Sequence, residues 1–185
     1  MAVRLLKSQR FTDDRGWFAE TYSRRRLAQL GLDIAFVQDS HSLSHNAGVL
    51  RGLHYQAPPH AQAKLVRCLR GRIWDVAVDI RRGSPTYGRW TAHDLAEGDD
   101  QQLFIPAGFA HGFLTVEPDS EVLYKASDVY VPECEGGLLW SDEDLAIPWP
   151  LAGRPPILSD RDANLPGFAA LSSPFTYGDT PPAAT

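Results

Sequence analysis

The chain is short of the residues that several common folds and chemistries require. Only two cysteines, Cys68 and Cys134, occur in 185 residues. That excludes a disulfide framework, and their spacing does not match a zinc site, so they read as reduced, mostly buried thiols. Positive charge is scarce too: 18 Lys and Arg stand against 23 Asp and Glu, a net charge of −5. A general nucleic-acid binder needs net basic charge or a basic face, so no nucleic-acid partner is expected, although a few local arginines can still hold a small anion. No apolar run approaches the ~20 residues of a membrane span, and MAVRLLKSQRF lacks an apolar stretch long enough for a signal peptide. The expectation is a soluble, cytoplasmic protein with no membrane partner. Helical patterning is also sparse. One segment, Arg24 to Leu30, with Ser23 as its cap and Gly31 as its stop, reads as a helix.

Short strand-like runs punctuated by glycine and proline fill the rest. Trp17–Tyr22, Phe36–Asp39, Trp90–Leu95, Glu121–Ala126 and Leu138–Trp140 read as strands. Ser40 to Gly48 reads as polar connection and Val129 to Gly137 as loop. Many short strands at regular spacing predict an all-β fold, a jelly-roll β-barrel or sandwich with one or two short helices, built as one domain over residues 1–185. From about Pro148 prolines and small residues dominate. That segment is predicted to lie across the body, with residues 173–185 loosely ordered.

The stretch from Gly48 to Ile80 carries the most chemistry. Trp74, Val76, Val78 and Ile80 alternate onto one face, with Asp75 and Asp79 on the other. Arg51, His54, Lys64 and Arg67 are spaced through strand-like segments, a pattern expected where charges line a polar cavity or one wet face. A histidine among cations is a candidate for acid–base work. In an ideal strand Arg51 and His54 have opposite parity. For both to face one cavity, a bulge or bend is needed near Gly52.

Ile105 to His111, IPAGFAH, resembles the second cupin motif, in which PxG makes a turn and the following histidine points into the barrel. Metal-binding cupins also carry an HxH pair, and the matching region here reads Gly52-Leu53-His54-Tyr55-Gln56. A single histidine is too few ligands for a typical site, so no metal is expected. His60, beside Pro58 and Pro59, reads as a loop residue.

Five segments in order and spacing resemble one family: LRGLHYQ (Leu50 to Gln56), KLVRC (Lys64 to Cys68), DVAVDIRRGSPTYG (Asp75 to Gly88), IPAGFAHGF (Ile105 to Phe113) and LYKASDVYVP (Leu123 to Pro132). DDRGWFAE (Asp13 to Glu20), FVQDS (Phe36 to Ser40) and LSDRD (Leu158 to Asp162) extend the match from about Phe11 to Pro166. It resembles the dTDP-4-dehydrorhamnose 3,5-epimerases, cupin-type sugar-nucleotide epimerases. The resemblance implies a cofactor-free isomerase that inverts C3 and C5 of dTDP-4-dehydro-6-deoxy-D-glucose, giving dTDP-4-dehydro-L-rhamnose. It also implies a homodimer whose N-terminal segment crosses to the partner, with Trp17, Phe18 and Phe36 as contacts.

The same resemblance assigns residues. His54 matches the general base and Asp162 the carboxylate that pairs with it, with adjacent Asp160 a competing candidate. Lys64 matches the cation at the enolate oxygen and Tyr124 the general acid. Arg51, Arg15 and Arg161 match substrate-facing arginines suited to a diphosphate. Glu20, Gln38, Asp39, Ser40 and Glu135 match further sugar and nucleoside contacts, Tyr130 the aromatic that stacks on thymine, and His111 a ligand contact inside the barrel. Two positions depart: Arg161 stands where many members carry Lys, and Ser40 where many carry Asn. Three alternatives follow. One is a single-centre C3 or C5 epimerase for another deoxysugar. Another is a metal-dependent cupin oxygenase or isomerase, disfavoured by the missing HxH. The third is a non-catalytic sugar-nucleotide binder, disfavoured by His54, Lys64, Tyr124 and Asp162 occurring together.

Overall fold

A computed structural model describes residues 1–179. Glycine and proline turns cut the described chain into short strands: β1 (Arg4–Lys7), β2 (Arg10–Asp13), β3 (Gly16–Ala19), β4 (Gln38–Ser44), β5 (Leu50–Gln56), β6 (Lys64–Arg70), β7 (Arg72–Asp79), β8 (Trp90–Ala96), β9 (Gln101–Ile105), β10 (Phe109–Thr115), β11 (Ser120–Ala126) and β12 (Glu135–Gly137). Two short helices, α1 (Arg24–Gln29) and α2 (Asp160–Ala163), join them. Sheet I has the order β1-β9-β6-β11-β4, sheet II the order β12-β5-β10-β7-β8, and β2 and β3 form a separate hairpin. Every strand pair within them is antiparallel. This is the expected all-β cupin jelly roll. The chain changes sheets at Gly71: β6 pairs with β9 and β11, while β7 pairs with β10 and β8.

Strand alternation sorts the side chains into layers. Between the sheets, Val66, Cys68, Leu103, Ile105 and Val122 of sheet I meet Ile73, Ala77, Leu95 and Phe113 of sheet II. The outer face of sheet II buries Leu50, Leu53, Val76, Val78, Ile80, Ala110 and Leu114 beneath Leu145, Ile147, Trp149 and Phe175 of the C-terminal segment. The outer face of sheet I is covered near α1 by Leu27 and Leu32, against Leu65 and Phe104. Each such fully buried large side chain contributes roughly 1.5–3 kcal/mol. Trp74, Val76 and Val78 therefore face outward under the tail, and Asp75 faces the interior.

The parity problem on β5 is solved where the sequence places it. β10 pairs His111 with His54 and Phe113 with Arg51, so Gly52 and Leu53 oppose Gly112 alone. This bulge returns Arg51 and His54 to the same inner face. Gly52 has φ of +120°, and a Cβ there would lie 2.6 Å from the Gly112 Cα, so glycine is needed on both counts.

Several elements differ from expectation. α1 forms as read, with Ser23 Oγ accepting the Arg26 N–H at 3.4 Å. β4 begins at Gln38 and runs through the serines read as polar connection. Its inner positions are Gln38 and three serines, which erases the apolar alternation a strand usually shows. β3 stops at Ala19, before Tyr22. Leu138–Trp140 is not a strand. The strand is β12, read as loop, where Gly136 and Gly137 lie close against β5: a Cβ would meet the Tyr55 ring or the Leu53 carbonyl. Of the tail expected to be loose, Ser173 and Phe175 are buried, and Arg82 bridges Thr176. Residues 180–185 lie outside the described residues.

Candidate active site

The inner faces gather polar side chains from six strands. Sheet II contributes Arg51 and His54 from β5, Asp75 from β7 and His111 from β10. Sheet I contributes Lys64 from β6, Tyr124 from β11, and Gln38 and Ser40 from β4. Register fixes their neighbours: His111 lies opposite His54, and Tyr124 lies between Ser40 and Val66. Tyr124 also packs on the apolar cluster between the sheets.

His54 Nε2 lies 2.6 Å from Asp162 Oδ1. Asp162 is 5 % exposed and sits on α2, where the cap Ser159 accepts its N–H at 3.1 Å. Its second oxygen accepts the Gly52 N–H at 3.4 Å. Burial pushes this carboxyl upward, but the His54 hydrogen bond and charge, with the Gly52 and Ser159 contacts, hold it below the usual aspartate range. It is therefore a carboxylate at neutral pH. Asp160, the competing candidate, lies two residues away on α2 and is exposed.

Lys64 is partly buried, and desolvation lowers its ammonium to about 8, with Asp75 and Glu135 opposing the drop. Deeper still, His111 Nε2 lies 2.9 and 3.0 Å from the two oxygens of Asp75, a fully buried carboxylate. Burial, aided by Lys64 and His54, pushes the His111 imidazole downward against the pull of Asp75, so it stays neutral.

At the rim, Tyr130 Oη donates to Glu135 Oε2 at 2.5 Å, and Arg161 Nη1 meets the same oxygen at 2.5 Å. Burial raises the Glu135 carboxyl, but these two donors bring it below its ordinary value. The Tyr130 ring is half exposed, and the residue's backbone N–H donates to Gln38 Oε1 at 2.9 Å. Gln38 Nε2 in turn reaches Ser40 Oγ at 3.3 Å. Among the described residues Arg51 contacts only neutral oxygens, Ser44 Oγ at 3.3 Å and the Leu43 carbonyl at 3.4 Å, which leaves its guanidinium without a carboxylate partner there.

Three residues expected at the site are placed elsewhere by the described chain. Asp39 takes the outer parity of β4 and pairs with Lys125 Nζ at 2.8 Å. Arg15 lies in the β2–β3 turn, 90 % exposed and paired with Asp13. Glu20 is exposed beside Arg26. Arg67 shares the outer face with Leu65 and plays no part in the interior, because strand parity sends it away from Lys64. Asp75 is a residue the sequence reading did not select. Its alternation with Trp74 and Val76 was visible, but nothing in one strand says which face is inner.

Comparison with known proteins fits this geometry. A family model described as dTDP-4-dehydrorhamnose 3,5-epimerase matches residues 2–170. The chain belongs to the dTDP-4-dehydrorhamnose 3,5-epimerase family. Members of this family are epimerases of the isomerase class. A dTDP-4-dehydrorhamnose 3,5-epimerase of Salmonella typhimurium is 48 % identical over 89 % of this chain and 89 % of its own. The family member from Bacillus anthracis, solved with TDP and PPi bound, is 46 % identical with a TM-score of 0.86, covering 89 % of this chain and 93 % of that one. The epimerase of Legionella pneumophila, solved with dTDP-4-keto-L-rhamnose, is 42 % identical with a TM-score of 0.87, covering 91 % and 89 %. Among the described residues no helix is long and apolar enough to cross a membrane.

Proposed function

We propose that this epimerase inverts C3 and C5 of dTDP-4-dehydro-6-deoxy-D-glucose through enolates, giving dTDP-4-dehydro-L-rhamnose. One observation carries the reading: His54 projects from sheet II, whereas Lys64 and Tyr124 project from sheet I, across the same interior. Inverting a carbon beside a ketone needs a base on one face of the ring and an acid on the other, with a cation at the oxygen. His54 takes the proton from the carbon next to C4, and the electron pair moves onto the C4 oxygen beside Lys64. Asp162 holds the imidazole and stabilises the imidazolium so formed. Tyr124 returns a proton to C5 from the opposite face, and a water returns one to C3.

No redox cofactor enters this scheme, and Lys64 supplies the charge that a metal otherwise would. Arg51 suits the diphosphate, because a fork with no carboxylate partner has its donors free. Tyr130 offers a half-exposed ring for thymine, with Glu135, Arg161, Gln38 and Ser40 around it, and His111 meets the sugar in the interior. In D2O, deuterium is expected at both C3 and C5 of the L-lyxo product, read by NMR. Label confined to one carbon after long incubation would instead support the single-centre reading.

We further propose a homodimer. Phe11, Trp17 and Phe18 on the β2–β3 hairpin are all more than half exposed, a large apolar patch for a short hairpin outside both sheets. Covering it with a second copy would also carry Arg15 and Glu20 toward the partner. Light scattering at micromolar concentration is expected to give the mass of two chains, and a monomer mass would refute the pairing.

A further inference from the structure

The interior holds one ion that the proposed reaction does not use. Asp75 is a carboxylate with no exposed surface, and both its oxygens face the same nitrogen, His111 Nε2. One neutral N–H is poor compensation for a buried carboxylate, which has about four lone-pair sites and a large desolvation cost. Lys64 presents the complementary problem. It is a partly buried ammonium on the facing sheet, and the two carboxylates that act on it are bonded elsewhere, Asp75 to His111 and Glu135 to Arg161 and Tyr130.

We infer that Asp75 is a positioning residue, the counter-charge that keeps Lys64 cationic across the barrel while fixing His111 with its proton on Nε2. Both effects follow from one geometry. The carboxylate claims the Nε2 proton, which leaves His111 Nδ1 as the acceptor in the neutral ring. A neutral His111 matters because it sits in register with His54. A second imidazolium there would oppose the charge His54 acquires when it takes a proton. The charge of Asp75 is not consumed by an ion pair with a cation, so it acts through the low-dielectric interior on Lys64. Other titratable groups facing Lys64 are His54 on β5, His111 on β10, Tyr124 on β11 and Glu135 on β12. Of these Glu135 alone carries a carboxyl group, and Arg161 pairs with it at the rim.

The inference rests on the epimerase reading for its consequence but can be tested without turnover. The chain contains only three lysines, Lys7, Lys64 and Lys125. A protein labelled with 13C at lysine Cε therefore gives three titration curves, and Lys64→Met identifies one of them. In the wild type Lys64 is expected to titrate at about 8. In Asp75→Asn its midpoint is expected to fall by at least ~1 unit, a tenfold loss of ammonium above the new midpoint. The alkaline limb of kcat should move down with it. In His111→Gln, which keeps the carboxylate and removes its partner, the midpoint should stay at about 8 or rise. An unchanged Lys64 midpoint in folded Asp75→Asn overturns the inference, as does a lowered one in His111→Gln. The second variant decides the matter if the first does not fold. Shifted midpoints in an enzyme that fails the deuterium test would leave the inference standing and the epimerase reading wrong.

Discussion

His54→Ala is expected to lower kcat by about 10²–10⁴-fold and to abolish deuterium uptake from D2O at both carbons. Every step of the proposed chemistry begins with a proton leaving carbon, and His54 is the imidazole whose partner, Asp162, is already a carboxylate at 2.6 Å. Without the imidazole no other group among the described residues of the interior is oriented as a base: His111 has its Nε2 engaged by Asp75. Asp162→Asn should give a smaller loss, because the imidazole remains but its imidazolium is no longer stabilised. Tyr124→Phe separates the half-reactions. It should retain exchange at the carbons that His54 reaches while losing inversion at C5. Near wild-type exchange in His54→Ala, with the fold intact, would remove this residue from the role of base.

Lys64→Met is expected to cost about 10²–10³-fold in kcat, or roughly 3–4 kcal/mol, the usual loss for a preorganised donor at a developing oxyanion. The effect should fall on kcat more than on KM, since the oxygen carries full charge only in the enolate. The sign of the pH dependence follows from burial. Lys64 is lowered to about 8, so the cation is present below that pH and is lost as pH rises through it. Wild-type kcat should therefore decline above about pH 8, and the same limb should vanish in Lys64→Met. A wild-type profile flat to pH 10, or a Lys64→Met variant within threefold of wild type, would show that the enolate oxygen is held by something else.

The all-β class, α1 with its Ser23 cap, the two faces of β7 and the demand for a bend near Gly52 were all legible in the sequence. These are local properties: side-chain alternation, capping chemistry and a parity conflict within four residues. The membership of His54, Lys64, Tyr124 and Asp162 in one motif set was legible as well, by resemblance. What alternation cannot encode is which face of a strand becomes the inside. β4 and β12 were missed because hydroxyls and glycines, chosen for a polar interior and for close backbone approach, carry none of the apolar signal that marks a strand. Asp39 was matched to the site by resemblance and Arg67 was drawn near it by its spacing among the other charges, and strand parity turns both outward. Asp75 went the other way, inward, once its apolar neighbours were covered by the C-terminal segment. Asp162 took its place over Asp160 because α2 packs with one carboxylate under β5 and leaves the other in solvent. The residue types of the interior were set by the sequence, whereas their pairing and the burial that tunes them came from stacking two sheets and docking α2 beneath them, contacts between residues up to 110 positions apart.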